Sequence, residues 1–457
     1  MPASPGVPPA QPAARPRQPP TWRRRAALGA PAVALALAAC AGSEGAGNAP
    51  PASATARPAR LAVLTHSAGE EPAFRQLFEA LKTLHPEITV DFSVGTTGGP
   101  NAAYNEKLVS LVAAGDAPDV FKTAPFGFGQ LANGGAYLAL DDYVRRAAAE
   151  VKPEDFFPSH FEGSKFKGRL FALPQTGAPQ ALWINVDLWQ REGLALPTWD
   201  TTWADFLRAA TAITKREPGL PTGQLGTGRP DWVSWLWSAG GDLYSADGTR
   251  MLIDQPPALE ALTWLQECVH RQRVAPDNAE AADPTLSLFE NGKLGTAFGN
   301  RGGLGRYQSI NGFTYDAAPL PRGPKGRVAQ TAVGHTSISA NSKARDAAFT
   351  TLVFMCSTEG QRILIGDGGT AHPSRRSSTE QPWFKDFKPP RAASTRVNTI
   401  FPETLSRKEA RALTPHPREA EINQAVLRNL NDLWSNAKPP REVAAAVVAE
   451  TSALMVR

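Results

Sequence analysis

From Leu61 onward, apolar side chains recur in two alternating periods. Leu61-Ala62-Val63-Leu64 is a short apolar run that reads as a strand. Phe74, Leu77, Phe78, Leu81 and Leu84 then fall at helical spacing and form one buried stripe. His85-Pro86 ends that helix, because proline disfavours helical backbone in the residue before it. Ile88, Val90, Phe92 and Val94 alternate with polar residues, the pattern of a half-buried strand. Tyr104, Leu108, Leu111 and Val112 mark a second helix closed by Gly115, and Pro118-Asp119-Val120-Phe121 leads into a third strand. Strand, helix, strand, helix, strand at this spacing predicts an α/β layer with parallel pairing.

The pattern continues with a strand over 181–185. Thr202-Trp203-Ala204-Asp205 has the form of a capping box before a helix carrying Phe206, Ala209 and Ile213. Tyr244 to Ile253, with Asp247-Gly248 at its centre, predicts a hairpin. A long helix is expected from Pro257 to about Arg273, and two amphipathic helices near the C-terminus, around 422–434 and 443–454.

The first sixty residues are of another kind. Residues 1–20 are rich in Pro and Ala; Arg23-Arg24-Arg25 then precedes an apolar run from Ala26 to Ala39. A basic segment, a short apolar segment and small residues before a cut site predict a secretory signal over 1–39. The run contains Pro31 and falls short of the ~20 residues that cross a bilayer. Residues 40–60, rich in Ala, Gly, Pro and Ser, read as a flexible tether. Five arginines in 1–39 account for the formal +5 of the chain, so cleavage leaves a neutral protein and removes the case for a nucleic-acid partner. Beyond the leader, Cys268 and Cys356 lie in apolar helical patterns, as buried thiols or as one disulfide.

Leu37-Ala38-Ala39-Cys40 resembles a bacterial lipoprotein signal. That resemblance implies lipid on Cys40 and a mature protein tethered outside the cytoplasmic membrane. A wider resemblance spans about residues 61 to 455. Its marks are Pro86-Glu87-Ile88-Thr89-Val90, the stretch from Tyr104 to Phe121, and Leu173-Pro174 with Trp183-Ile184-Asn185-Val186-Asp187-Leu188-Trp189. Gly240-Gly241, Phe289-Glu290-Asn291-Gly292-Lys293 and Pro373-Ser374-Arg375 follow in order. Together they resemble the family 1 extracellular solute-binding proteins of ABC importers. The resemblance implies a two-lobed, type II periplasmic-binding-protein-like α/β fold with three interlobe crossings. The N-lobe would take 60–175 and 336–372, the C-lobe 176–335 and 373–457. It further implies a monomeric, non-enzymatic subunit without a cofactor, which captures a carbohydrate in the interlobe cleft and delivers it to membrane permease subunits.

Ligand clefts of α/β layers lie beyond strand C-termini, where backbone N–H groups are free. His66 follows the first strand, Thr97 the second, and Thr123 to Phe126 the third. Sugars need polar groups that match hydroxyls and an aromatic face for the ring. Thr97 and Thr123 suit the first need, Phe126 and Tyr104 the second, although helical spacing also fits Tyr104 to the core. Asp231-Trp232-Val233-Ser234-Trp235-Leu236-Trp237 is the densest aromatic cluster. Trp232 and Trp235 are candidate stacking platforms or core; Asp231 is a helix cap or a hydroxyl acceptor. Asn300 and Arg301 are candidate donors, in a loop where many relatives carry a stacking tryptophan and this chain has glycines. His335 and Arg375 lie near expected crossings. Arg301 and Arg375 converging on one point would favour a phosphate such as glycerol phosphate; clustered cleft acids would favour a polyamine. A secreted polysaccharide-active enzyme is the rival of another class. The seven histidines show no metal-binding spacing, and no nucleophile elbow is present.

Overall fold

The computed structural model describes residues 58–66, 68–95, 101–216, 223–281, 285–366, 369 and 371–455. The leader, Cys40 and Thr97 lie outside these. Strand β1 (Ala59–Thr65) starts two residues ahead of Leu61 and alternates toward a buried inner face. Helix α1 (Glu71–Leu84) buries Phe74, Leu77, Phe78 and Leu81 on one stripe and stops before Pro86. Next come β2 (Ile88–Val94), α2 (Asn101–Ala114), β3 (Val120–Lys122), the short α3 (Phe128–Asn133) and α4 (Pro158–Gly163). β1 pairs in parallel with β2 and with β3, as the alternating pattern requires.

The chain then leaves this layer along β4 (Leu173–Pro179) and enters a second one through β5 (Ala181–Asn185), whose five residues are all buried. Helix α5 (Trp203–Ile213) opens on a complete capping box: Asp205 N–H donates to Thr202 Oγ1 at 3.2 Å, and Thr202 N–H to Asp205 Oδ2 at 2.9 Å. Helices α6 (Trp232–Ser238) and α7 (Pro256–His270) follow. Strands β6 (Thr296–Gly299) and β7 (Tyr315–Ala318) flank β5 in a three-stranded antiparallel sheet. The expected hairpin at 244–253 is present in a minimal form, with one bridge in place of extended strands. Tyr244 and Met251 form a single bridge, Ser245 N–H donates to the Arg250 carbonyl, and Asp247 binds the Ser245 and Thr249 hydroxyls. Leu252 N–H also donates to the Leu243 carbonyl at 2.8 Å, so cross-strand backbone bonds close the hairpin and the Asp247 side chain caps its turn.

β8 (Ala329–Ile338) returns the chain to the first layer. Its C-terminal end pairs antiparallel with β3, its middle with β4, and its N-terminal end in parallel with β9 (Ala410–Ala412). The β4–β8 ladder has one irregularity, between Gly334 and His335. Helices α8 (Arg345–Met355) and α9 (Thr358–Ile365) close the first lobe; α10 (Arg396–Ser406), α11 (Glu419–Trp434) and α12 (Pro440–Thr451) pack on the second. The cores divide accordingly. Leu61, Phe74, Val120, Ile338 and Leu352 share one cluster; Leu182, Trp235, Leu262, Ile422 and Val443 share another. Cys268 and Cys356 are free, and each is buried in a different one of these cores, so they are not disulfide partners. Among the described residues no helix is long and apolar enough to cross a membrane.

Candidate ligand cleft

Between the lobes lies a cavity of about 320 Å³. The turn after β3 supplies Phe126 and Phe128 from the N-lobe, the first residue of α6 supplies Trp232 from the C-lobe, and β8 supplies Gln330 and His335. Phe126 has a left-handed backbone (φ 63°) and is 38% exposed. A non-glycine residue there costs ~1–2 kcal/mol. Of the three large hydrophobic side chains exposed on the described surface, Phe126 and Leu427 both border this cavity. Apolar surface at a cleft mouth is the mark of a binding site rather than of folding.

The setting of Trp232 is fixed from behind. Asp231 caps α6, accepting from Ser234 N–H at 2.9 Å and from the Ser234 hydroxyl. The Ser234 hydroxyl in turn accepts the Gln330 N–H at 2.9 Å, tying the helix to the crossing strand. Burial raises the Asp231 carboxyl pKa, against the hydrogen bonds from Ser234. Asp231 thus acts as a cap, and it does not line the cavity. His335 does line it, its ring stacked on Phe128 at 4.1 Å and its Nδ1 3.3 Å from the Ser164 hydroxyl. Burial pushes its pKa down to about 3, so the ring is neutral.

Phe126, Trp232 and His335 therefore meet at one cavity. The other described candidates do not, and each has a physical reason. Trp235 stacks on Trp203 (5.5 Å, 8°) and packs edge-on to Phe298, in the core. Tyr104 is buried with its hydroxyl donating to the Lys122 carbonyl at 2.8 Å. Thr123 is buried and shares a 2.7 Å hydrogen bond with the Tyr137 hydroxyl. His66 stands at the end of β1, 5.7 Å from the Tyr104 ring; burial and the nearby Lys122 lower its pKa. Asn300 caps the turn that follows it, accepting from Gly302 N–H at 2.8 Å.

The two arginines do not converge. Arg301 is buried over the Phe384 ring and donates to the Gly369 and Ala371 carbonyls and to Asn398 Oδ1. Arg375 lies 4.0 Å over the Phe156 ring and donates to the Cys356 and Val151 carbonyls and to Asp155. Both hold distant segments of the chain together, and neither lines the cavity.

Sequence reasoning missed Gln330, Tyr244 and Glu419 on the cavity wall. Glu419 precedes Ile422 by three residues and Val426 by seven, so it shares their buried face of α11; an acid on an apolar stripe was the available signal. Gly163, Tyr244, Ala412, Leu413 and Pro415 also border a larger groove of about 1150 Å³, lined by Lys165, Lys167, Lys408, Arg411 and Arg418. Among the described residues no cluster of His, Cys, Asp or Glu is arranged to hold a metal ion.

The profile of the bacterial extracellular solute-binding proteins matches residues 67–362. A protein of Brucella abortus named as a binding protein is 26% identical over 309 residues, covering 66% of this chain and 73% of its own. An ABC substrate-binding protein of Listeria monocytogenes, solved in complex with cycloalternan, superposes with a TM-score of 0.73 at 20% identity, over 87% of this chain and 99% of that one. UgpB of Mycobacterium tuberculosis, solved in complex with glycerophosphocholine, superposes with a TM-score of 0.69 at 18% identity, over 86% and 97%.

Proposed function

The chain belongs to the bacterial extracellular solute-binding protein family; from that premise we propose that its solute is a neutral carbohydrate, held between Phe126 and Trp232 and passed to an ABC permease. The family works outside the cytoplasm and binds solute rather than transforming it, which sets the enzyme reading aside. One observation carries the choice of ligand class. Aromatic side chains from opposite lobes border a largely apolar cavity whose few polar groups, Glu419 apart, are neutral hydrogen-bonding partners: Gln330, Asn423, Tyr244 and His335. Aromatic faces suit the apolar side of a sugar ring, and neutral polar groups suit its hydroxyls. The cycloalternan complex of the Listeria relative is in keeping with this reading.

The glycerol phosphate reading has one point in favour, the glycerophosphocholine complex of UgpB. Against it, neither lysine nor arginine lines the cavity among the described residues, and Arg301 and Arg375 are spent on other partners. The polyamine reading needs several acids, where the described wall supplies Glu419 alone.

In this reading the lobes exchange chain at 175–176, 335–336 and 372–373. Cys40 carries the lipid that tethers the monomer to the membrane. Titration calorimetry with neutral mono- and oligosaccharides tests the function. Binding without turnover supports it, and binding of glycerol phosphate in place of every sugar would replace it.

A further inference from the structure

One acidic group faces the cavity. Of the titratable residues on its described wall, burial keeps His335 neutral and raises the Tyr244 hydroxyl, which leaves Glu419. Glu419 is the first residue of α11, on the C-lobe, yet its Oε1 accepts the Gly129 N–H of the N-lobe at 3.2 Å. Backbone groups of His416 and Phe128 nearby also favour the ionised carboxyl. A single carboxylate thus joins the two lobes and looks into the space the solute fills.

Resting on the solute-binding reading above, we propose that Glu419 selects the solute by charge: it accepts hydrogen bonds from neutral or cationic solutes and turns anionic ones away, so that lobe closure is conditional on the charge of what is enclosed. The surroundings favour this. On its own helix, Glu421 is engaged by Arg418 on the outer side. α3 presents backbone N–H groups and no titratable side chain. In the segment before α11, burial lowers the His416 pKa, and its Nδ1 accepts the Arg418 N–H, so the ring is neutral. Tyr137 and Tyr244 both feel the carboxylate's charge, and both are held as neutral phenols. Arg411 is paired with Asp242, and Lys165, Lys167 and Lys408 belong to the neighbouring groove. No cation among the described wall residues offsets Glu419, so a phosphate or carboxylate entering the cavity meets a like charge in a medium that screens it poorly. Burial outweighs the backbone hydrogen bonds and raises the carboxyl pKa to about 7. Exclusion of anions is therefore strongest above that pH and relaxes below it.

The test compares neutral sugars with glucose 6-phosphate, glucuronate and glycerol phosphate, by calorimetry on the full chain. At pH 8 the anions should bind at least tenfold more weakly than the neutral solute. That gap should close toward pH 6, and at pH 8 in Glu419→Gln. Equal binding of anions at pH 8, or a gap that neither pH nor the variant moves, overturns the proposal; the pH series needs no variant to fold. If no sugar binds at all, the carbohydrate reading fails by itself, and a second measurement still judges Glu419. Amide exchange over the segment holding Phe128 and Gly129 should quicken at least threefold in ligand-free Glu419→Ala. Unchanged exchange there overturns the placement of Glu419 on which the proposal stands.

Discussion

Gly129 of the N-lobe lies against the backbone of His416 of the C-lobe so closely that no β-carbon fits between them. A Cβ at Gly129 would sit 2.7 Å from the His416 carbonyl carbon and nitrogen, and closer still to the oxygen. The neighbour is main chain and cannot rotate aside. Gly129→Ala should therefore hold the lobes apart while leaving each core intact. Forced overpacking costs ~1–3 kcal/mol, so solute affinity should fall by about tenfold or more with little change in melting temperature. Small-angle scattering with saturating solute checks it: a radius of gyration equal to that of the wild type would refute the contact.

Phe126 separates recognition from stability. Its left-handed backbone is strained for phenylalanine and free of strain for glycine. Phe126→Gly should raise unfolding free energy by roughly 1 kcal/mol and yet weaken solute binding. Trp232→Ala should weaken binding by about tenfold through loss of one aromatic face. Denaturant unfolding and calorimetry on the same samples read both effects.

Removing either buried arginine should damage the fold rather than the affinity. Arg375→Ala leaves two carbonyls without their donor and Asp155 with Ser377 alone, and breaking a buried pair costs ~3–5 kcal/mol. Arg301→Ala leaves Asn398 Oδ1 and two carbonyls without their donor. Whatever fraction of either variant stays folded should bind solute with wild-type affinity.

The pH dependence of stability has opposing parts. Burial holds His160 and His335 near 3 and lowers His372 as well. Unfolded, these rings take up protons below about 6.5, so they remove stability as pH falls through that value. Glu419 works the other way. Its folded pKa, about 7, lies above the ordinary 4.5, so its contribution is complete below 4.5 and is lost as pH rises through 7. Glu419→Gln should gain on the wild type across that window, by on the order of 2 kcal/mol. Chemical denaturation at pH 5 and pH 8 gives the difference; a constant offset would contradict it.

Both cysteines of the folded lobes should be silent. Burial raises the pKa of the Cys268 and Cys356 thiols, and neither has an exposed face. Ellman's reagent should modify them only after denaturant is added.

Local periodicity carried much of the fold: the α1 stripe, the β2 alternation and the capping box of α5 were all legible, because each depends on residues within a few positions. The site was less so. Phe126, Trp232 and His335 come from segments far apart in sequence that only the lobe arrangement unites. Trp235 and Tyr104 have the same local look as Trp232 and Phe126. What separates core from cleft is the partner across space: Trp203 for Trp235, the Lys122 carbonyl for Tyr104. Glu419 escaped notice because its role needs Gly129, 290 positions away. The 244–253 hairpin was legible from Asp-Gly, which specifies a tight turn, but not the shortness of its flanks, which pair through one bridge.

β8 keeps its pairing from β9 of one lobe to β3 of the other, and its ladder with β4 loses register at one place, Gly334/His335, where a β-carbon on Gly334 would also collide with Thr176. The strands that link the two cores and the aromatic faces at Phe126 and Trp232 therefore come from different segments of the chain. Substitutions at Gly334 should act on affinity for every solute alike, whereas substitutions at Phe126 or Trp232 should alter which solute is preferred.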